Sequence, residues 1–221
     1  MYLLDKKFRD SPIAVRFVPF AIFLVLTFCA GIGGEQSPYW VYLIKSLVGA
    51  WLLWEMRPFV AEMRWALSWE AVVVGVAVCA MWIGIDDFYP KMGSGKPQNP
   101  NLVFGQGSSM AWFFVVVHIL GSTFVVPPLE EVFYRSFLYR YLIKMDFLTM
   151  PLGRMNPLSF VVTSTLFGFE HYQWLSGILC GFAYQWLVIR KNRIGDAITA
   201  HAITNFLLGV WIVCRNDWKF W

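Results

Sequence analysis

Long apolar runs separated by short polar connectors occupy most of this chain. A helix that crosses a bilayer needs about 20 apolar residues, or somewhat fewer where the membrane thins locally. Eight runs approach that length, at about residues 13–33, 39–54, 70–85, 110–126, 129–145, 158–172, 174–190 and 194–214. Tryptophan and tyrosine gather near many of their ends, as they do at membrane–water interfaces. The pattern predicts an all-α fold, a polytopic membrane helix bundle of about 7–8 transmembrane helices.

The composition strengthens this prediction and bounds the number of domains. Of the 221 residues, 58% are hydrophobic and 14% are charged, whereas about 25% are charged in a typical soluble domain. The length suits one compact bundle, so residues 1–221 are predicted to form a single integral membrane domain. The connector 86–107, which is rich in proline and glycine, is predicted to be a surface loop. No small-residue cleavage site follows the first apolar run, which indicates a retained helix rather than a signal peptide.

Lysine and arginine cluster in the connectors, as the positive-inside rule describes, and this argues against a nucleic-acid partner. Two topologies satisfy that rule to different degrees. If the run 129–145 does not cross the membrane, seven spans place every cluster on the cytoplasmic side. If it crosses, there are eight spans and the two later clusters lie outside. The four clusters are Lys6, Lys7, Arg9 and Arg16; Arg57 and Arg64; Arg140, Lys144 and Arg154; and Arg190, Lys191 and Arg193.

One segment, residues 127–135, places two carboxylates and an arginine within the apolar pattern. An ionisable group at the bilayer centre costs roughly 2.5–3.5 kcal/mol on insertion scales, so such groups are usually paired and functional. Residues four apart share a helix face. Glu131 is therefore predicted to pair with Arg135, which leaves Glu130 available for chemistry. The two prolines that open the segment suit a helix start. A purely structural ion-pair network is the alternative.

The histidines supply further candidates. His171 ends an apolar run, where a hydrogen-bonded core or interfacial histidine is the alternative to a catalytic one. His201 and Asn205 are four residues apart in the last apolar run, so their side chains share one helix face. They could also simply bond to each other or across the bundle. His118 has no partner at helical spacing and is predicted to be structural. Together with Glu130, such groups can activate a water and stabilise an oxyanion.

These residues resemble the motifs of the CAAX protease and bacteriocin-processing enzymes, also called Abi or type II CAAX prenyl endopeptidase-like proteins. All three family motifs occur in order within residues 127–210, the predicted motif-bearing core. The sequence around 166–181 and 207–221 further resembles the branch found in bacteria with exosortase sorting systems. The motifs are EExxxR at Glu130, Glu131 and Arg135, FxxxH at Phe167 and His171, and HxxxN at His201 and Asn205.

The resemblance implies an intramembrane endopeptidase that hydrolyses a peptide bond of a membrane-associated protein or peptide. Carried over residue by residue, Glu130 would activate the attacking water with help from His171. His201 and Asn205 would polarise the scissile carbonyl and hold the oxyanion, and the acidic–basic pair of the first motif would support them. The implied location is the cell membrane, as a multi-pass protein of a bacterial inner membrane.

The metal requirement stays open at this point. The family is often described as metalloproteases, although a metal-free glutamate mechanism has also been proposed for its members. Glu130, His171 and His201 are candidate ligands for a zinc ion, but no HExxH motif is present. The substrate, the oligomeric state and any gating role of the connector 86–107 stay open as well.

Two other functions compete with the endopeptidase. One is a non-catalytic membrane scaffold or chaperone of a sorting or immunity system that uses the same fold. The other is a proton-coupled transporter, which the absence of an evident internal repeat disfavours. For catalysis, Glu130 and His171 must lie at similar depth in the membrane. That requirement favours the eight-helix topology, in which the run 129–145 crosses the bilayer.

Overall fold

The computed structural model describes residues 6–93 and 98–221, which contain helices and no β-strand. Eight helices build the bundle, and their bounds agree closely with the eight predicted apolar runs. They are α1 (Ala14–Phe28), α2 (Ser37–Met56), α3 (Trp69–Gly84), α4 (Ser109–Phe124), the composite α5 (Val126–Glu131, Val132–Leu138 and Tyr139–Ile143), α6 (Pro157–Phe169), α7 (Trp174–Lys191) and α8 (Gly195–Arg215). The predicted all-α class is confirmed for the described residues.

Two of these helical segments are long and apolar enough to cross a membrane, judged by length and composition only. One is the continuous segment Ser109–Ile143, which comprises α4 and α5, and the other is α8, Gly195–Arg215. Three further apolar helices, α1, α3 and α6, are shorter. Many large apolar side chains on the outside of the bundle are exposed, including Leu47, Trp54 and Trp69. Exposed apolar area of this extent is typical of a surface that contacts a membrane or another protein.

One end of the bundle carries the connectors 57–68, 144–156 and 192–194, and we call it the basic end. Three contacts between distant parts of the chain bring these connectors together. Ser68 donates a 2.5 Å hydrogen bond to Asp196 in the first turn of α8. Lys191 pairs with Glu70 at 2.6 Å. The connector 144–156 joins them where the Gly153 amide donates to the Asn192 side chain.

The opposite end carries the connectors 85–108 and 170–173 and the terminal segment 216–221. The Tyr89 hydroxyl lies 2.7 Å from the Ser176 hydroxyl at the start of α7. The Trp174 indole donates to the Pro90 carbonyl, and Lys219 pairs with Asp86 at 3.0 Å. The predicted surface loop 86–107 lies here and contains a short helix, Pro100–Phe104; its residues 94–97 are outside the described part.

The helix α5 begins and ends at the basic end. At its start, Val125 and Pro128 share an apolar groove with Met63 and Trp65 of the connector 57–68. Near its other end, Arg140 pairs with Glu62 of the same connector at 2.9 Å. The expectation that this segment passes from one end of the bundle to the other is therefore wrong. The basic connectors 57–68, 144–156 and 192–194 all lie at this end.

Two local features turn α5 away from the axis of α4. Prolines 127 and 128 lack an N–H, so they break the hydrogen-bond ladder of a segment that is otherwise helical from α4 onward. They lie in the first turn of the helical segment Val126–Glu131, so the predicted helix start at these prolines is confirmed. The part Val132–Leu138 is a π-helix, closed by the Tyr139 amide, which donates to the Tyr134 carbonyl. Such wide turns are rare and frequently occur at functional sites.

A charge network at the basic end holds the connector 57–68 against α1 and α5. One oxygen of Glu62 accepts hydrogen bonds from Arg16 at 2.9 Å, from Arg140 at 2.9 Å and from Ser136 at 2.5 Å. Arg16 and Arg140 are both buried. Burial opposes ionisation of Glu62, but the charge of Arg16 and the hydrogen bond from Ser136 outweigh it and hold the pKa of this carboxyl below its usual value.

We expect Glu62→Gln to lower the free energy of unfolding at neutral pH by about 2–3 kcal/mol, because the charged hydrogen bonds are lost. The folded pKa lies below the unfolded value, so the stabilisation is present above about pH 4.3 and is lost as the pH falls through the folded pKa. Unfolding of both proteins in detergent at a series of pH values measures this. A stability difference that stays constant into strongly acidic solution would contradict the assignment.

Candidate active site

Glu131 is the centre of the buried charge network inside the bundle. It lies in the second turn of α5 and is fully buried. Its Oε2 lies 3.2 Å from Arg135 Nε, so the predicted pairing at i,i+4 is present. Its Oε1 lies 3.1 Å from His201 Nδ1. Glu131 therefore joins α5 to α8 and fixes the orientation of the imidazole, since a carboxylate accepts the N–H of that ring nitrogen.

Glu130 lies beside the other nitrogen of the same imidazole. Its Oε2 is 3.9 Å from His201 Nε2, which is too long for a direct hydrogen bond. That oxygen is buried and forms no hydrogen bond with any described residue. A buried carboxylate oxygen normally has a partner, and a gap of this length suits a water that bonds to both groups. The two adjacent carboxylates thus have different environments on either side of one histidine.

The second motif packs against this network through its aromatic ring. Phe167 is fully buried, with the Arg135 guanidinium 4.3 Å from its ring centre and the His201 ring 5.8 Å away, edge to face. His171 Nδ1 lies 2.9 Å from the Phe167 carbonyl. When that nitrogen carries the proton and donates, Nε2 remains free to accept. No hydrogen bond joins His171 to Glu130 among the described residues.

Close packing of α6 on α7 places His171. A Cβ atom added to Gly177 would lie 2.8 Å from the Cα of Gly168, and one added to Gly168 would lie 2.6 Å from a backbone nitrogen of α7. Larger side chains at either glycine would therefore push the two helices apart. The turn that contains His171 would move with them.

The third motif lies on α8 and is held from two neighbouring helices. Tyr184 of α7 stacks on the His201 ring at 5.1 Å and donates a 2.7 Å hydrogen bond to Thr204. Asn205 Nδ2 donates to the Ser122 carbonyl of α4 at 2.8 Å. An amide nitrogen has two N–H groups, so the second donor of Asn205 remains available.

A cavity of about 370 Å³ brings the motifs together towards the opposite end of the bundle. His171, His201 and Asn205 all line it, and Glu130 is not among its described lining residues. His118, predicted to be structural, also lines it and is stacked between Tyr42 and Trp221, with ring centres at 4.3 and 4.0 Å. A cavity of this size, lined by both polar and aromatic side chains, is typical of a ligand site.

Residues 110–207 match the family model described as type II CAAX prenyl endopeptidase Rce1-like. The chain carries an Rce1-like domain. The family predicted from the three motifs is thus confirmed, and the match spans α4 to the middle of α8, with all three motifs inside it. No curated protein and no solved structure matches the chain. The narrower resemblance to the exosortase-associated branch stays a prediction.

The donor geometry of the Rce1-like domain does not fit a zinc ion. Zinc sites in proteins take three or four nitrogen, sulfur or oxygen ligands around one point. Within the described residues no three His, Cys, Asp or Glu side chains are arranged to hold a metal. The candidate ligand set Glu130, His171 and His201 therefore does not converge as a metal centre.

Two residues in the cavity of the Rce1-like domain were missed by reasoning from the sequence. Lys45 of α2 lines the cavity although it is far from any motif along the chain. Glu170 lines it beside His171 and hydrogen-bonds with the Tyr134 hydroxyl. A lysine in the middle of an apolar run was a signal that could have identified the first. The second could have been found only by its position next to a motif histidine.

Proposed function

We propose that this protein is an intramembrane endopeptidase that hydrolyses a peptide bond of a membrane-associated protein or peptide by means of a water held at Glu130. One observation carries the proposal: the Glu130 oxygen that has no hydrogen-bond partner among the described residues lies 3.9 Å from the imidazole of His201, which Glu131 orients from its other side. The family is one of endopeptidases, which supports the reaction class.

Glu130 takes a proton from the attacking water as general base. Asn205 donates its second N–H to the oxygen of the scissile carbonyl, where negative charge develops. His201 can donate to the same oxygen when Nε2 is protonated, and the carboxylates on either side of the ring balance the resulting charge. Glu130 then gives this proton to the nitrogen of the leaving amine as the C–N bond breaks, and the hydroxyl of the water remains on the new carboxylic acid. His171, whose Nε2 faces no described hydrogen-bond partner, helps Glu130 to hold the water.

The route is proposed to be metal-free, because no three His, Cys, Asp or Glu side chains of the described residues are arranged to hold a metal. Purified protein is therefore expected to retain its rate of substrate cleavage after treatment with 1,10-phenanthroline and with EDTA. The measurement is the cleavage rate before and after treatment, with metal content determined in parallel. A loss of more than tenfold that zinc restores would overturn the metal-free route and leave the reaction class in place.

We also propose that the bundle crosses the membrane seven times, with the basic end in the cytoplasm and with α5 entering and leaving the bundle at that end. The connectors 57–68, 144–156 and 192–194 then follow the positive-inside rule together. The cavity faces the other half of the membrane, and substrate reaches it from there. This arrangement agrees both with the charge pattern and with the contact between Glu131 of α5 and His201 of α8.

Reporter fusions test this arrangement. Fusions after residues 60 and 150 are expected to report the same side of the membrane, and a fusion after residue 90 the opposite side. The reason is that α5 returns to the end from which it starts. Cysteine accessibility at the same positions in the full-length chain provides an independent control. Opposite sides for 60 and 150 would restore the eight-crossing topology.

A non-catalytic scaffold with the same fold is the alternative function. It needs the buried network for stability but has no use for a carboxylate oxygen without a partner. The variant Glu130→Gln distinguishes the two functions. An endopeptidase is expected to lose cleavage and keep its fold, whereas a scaffold is expected to keep its function.

A further inference from the structure

A groove on the outside of the bundle lies at the start of α5, separate from the active-site cavity. It has a volume of about 380 Å³, and we call it the interfacial groove. Its wall includes Leu53 and Trp54 of α2, Trp65 of the following connector and Phe124 of α4. Trp54 is 60% exposed and Phe124 is 57% exposed. The apolar wall is therefore open to whatever surrounds the bundle.

Arg57 is the one charged residue among the described lining residues of the interfacial groove. It follows directly after the end of α2, and its guanidinium carbon lies 3.8 Å from the ring centre of Trp54. This cation–π contact holds the charge in place but does not neutralise it. Within the described residues no carboxylate forms an ion pair with Arg57, whereas Arg16 and Arg140 at the same end both pair with Glu62.

No acidic side chain is among the described residues that line the interfacial groove. The acidic residues closest to Arg57 along the chain are Glu55 and Glu62. Glu55 is buried, and Glu62 is held by Arg16 and Arg140. An anion that enters the groove would therefore meet the charge of Arg57 without an opposing carboxylate in the wall.

The position of the interfacial groove suits the surface of a membrane. Trp54 and Trp65 flank the end of α2, and tryptophan is enriched at membrane–water interfaces. In the proposed topology this end faces the cytoplasmic leaflet, which carries anionic lipids, and basic pockets between helices on that side bind their head groups. An arginine binds a phosphate through two parallel N–H groups. An anionic phospholipid thus supplies both an apolar chain for the wall and a phosphate for Arg57.

We propose that the interfacial groove binds one anionic phospholipid, with an acyl chain along its apolar wall and the phosphate at Arg57. Pro128, near the start of α5, also lines the groove and is two residues before Glu130. The bound lipid therefore packs against the beginning of the helix that carries Glu130. The proposal does not depend on the endopeptidase function, because the binding is measured without cleavage.

Native mass spectrometry of the purified full-length protein tests the binding. The protein, in a neutral detergent, is mixed with equal amounts of dioleoyl phosphatidylglycerol and dioleoyl phosphatidylcholine, which have the same acyl chains and differ in net charge. The phosphatidylglycerol is expected to bind about fivefold more tightly, the factor that one basic residue contributes near an anionic lipid surface. Equal binding of the two lipids would overturn the proposal.

Arg57→Gln is expected to reduce the preference for phosphatidylglycerol to less than twofold. Arg64→Gln provides the control, because it removes an exposed arginine of the same connector that is not among the described lining residues. The control is expected to keep the wild-type preference. A preference that survives Arg57→Gln would contradict the proposal. A preference that falls equally in both variants would also contradict it, because the lipid would then be attracted by the basic end as a whole.

Ala50→Phe tests the apolar part of the interfacial groove, because it places a large side chain in the groove and leaves Arg57 unchanged. It is expected to weaken phosphatidylglycerol binding at least fivefold. Ala61→Phe, the same change at an exposed position that does not line the groove, is expected to have no effect. This pair of variants gives a result even if Arg57→Gln does not fold. Unchanged lipid binding in Ala50→Phe would overturn the proposal. So would a wild-type dimer that Ala50→Phe abolishes, because a second copy of the chain would then occupy the groove.

Discussion

Glu130→Gln is expected to lower the rate of substrate cleavage by about 10²–10⁴-fold, the range that a positioned general base contributes. The carboxamide has nearly the same shape as the carboxylate but cannot take a proton from water. Because Glu130 Oε2 forms no hydrogen bond with the described residues, the substitution breaks no protein contact at that atom. The folded state is therefore expected to persist, with a thermal midpoint close to that of the wild-type protein.

Mass spectrometry of new peptide termini in host membranes measures this effect and does not require an identified substrate. Cells that express wild-type protein are compared with cells that express Glu130→Gln at matched levels. Glu35→Gln provides the control, because it makes the same chemical change at an exposed position in the connector after α1. New termini that appear equally with wild-type and Glu130→Gln protein would favour the scaffold function over the endopeptidase.

The helices were predictable from the sequence because burial in lipid requires long apolar runs and leaves a strong signal in the pattern. The predicted run 174–190 and the observed α7, Trp174–Lys191, differ by a single residue at one end. The identity of the motif residues was predictable for the complementary reason. Polar side chains such as Glu130 and His201 stand out where nearly all neighbours are apolar.

The path of α5 was not predictable by the same reasoning. Its apolar length suggested a crossing, and the need for Glu130 to lie near His171 pointed to the same conclusion. The kink at the two prolines and the π-helical part Val132–Leu138 allow the segment to pass through the bundle and return to the basic end. Hydropathy contains no signal for either effect. The charges of Arg140, Lys144 and Arg154, in contrast, favoured a segment that ends on the side where it begins.

Long-range partners were also beyond the sequence. Spacing predicted that Glu131 pairs with Arg135, and the two side chains do pair. It could not show that the same carboxylate holds His201, 70 residues later along the chain. Nor could it show that Lys45 of α2 reaches the cavity, because that depends on how α2 packs against α4 and α5.

Arg135→Met is expected to destabilise the protein by about 3–5 kcal/mol, because it leaves a carboxylate buried without its countercharge. Arg135 is 1% exposed and Glu131 is 0% exposed, so water cannot replace the lost partner. Methionine is of similar length and retains apolar contact with Phe167, so the loss reports mainly on charge. His201 is then the remaining hydrogen-bond partner of Glu131 among the described residues.

The double variant Glu131→Gln/Arg135→Met is expected to be more stable than Arg135→Met alone, because no uncompensated charge remains buried. The coupling energy between the two positions should fall within about 0.5–3 kcal/mol, the range for residues in one network. Unfolding in mixed detergent micelles measures all four members of the cycle, and Arg154→Met controls for loss of an exposed arginine. A double variant no more stable than Arg135→Met would show that the arginine stabilises the bundle through Phe167 and the Gly181 carbonyl. The charge of Arg135 would then be tolerated inside the bundle for a reason other than its pairing with Glu131.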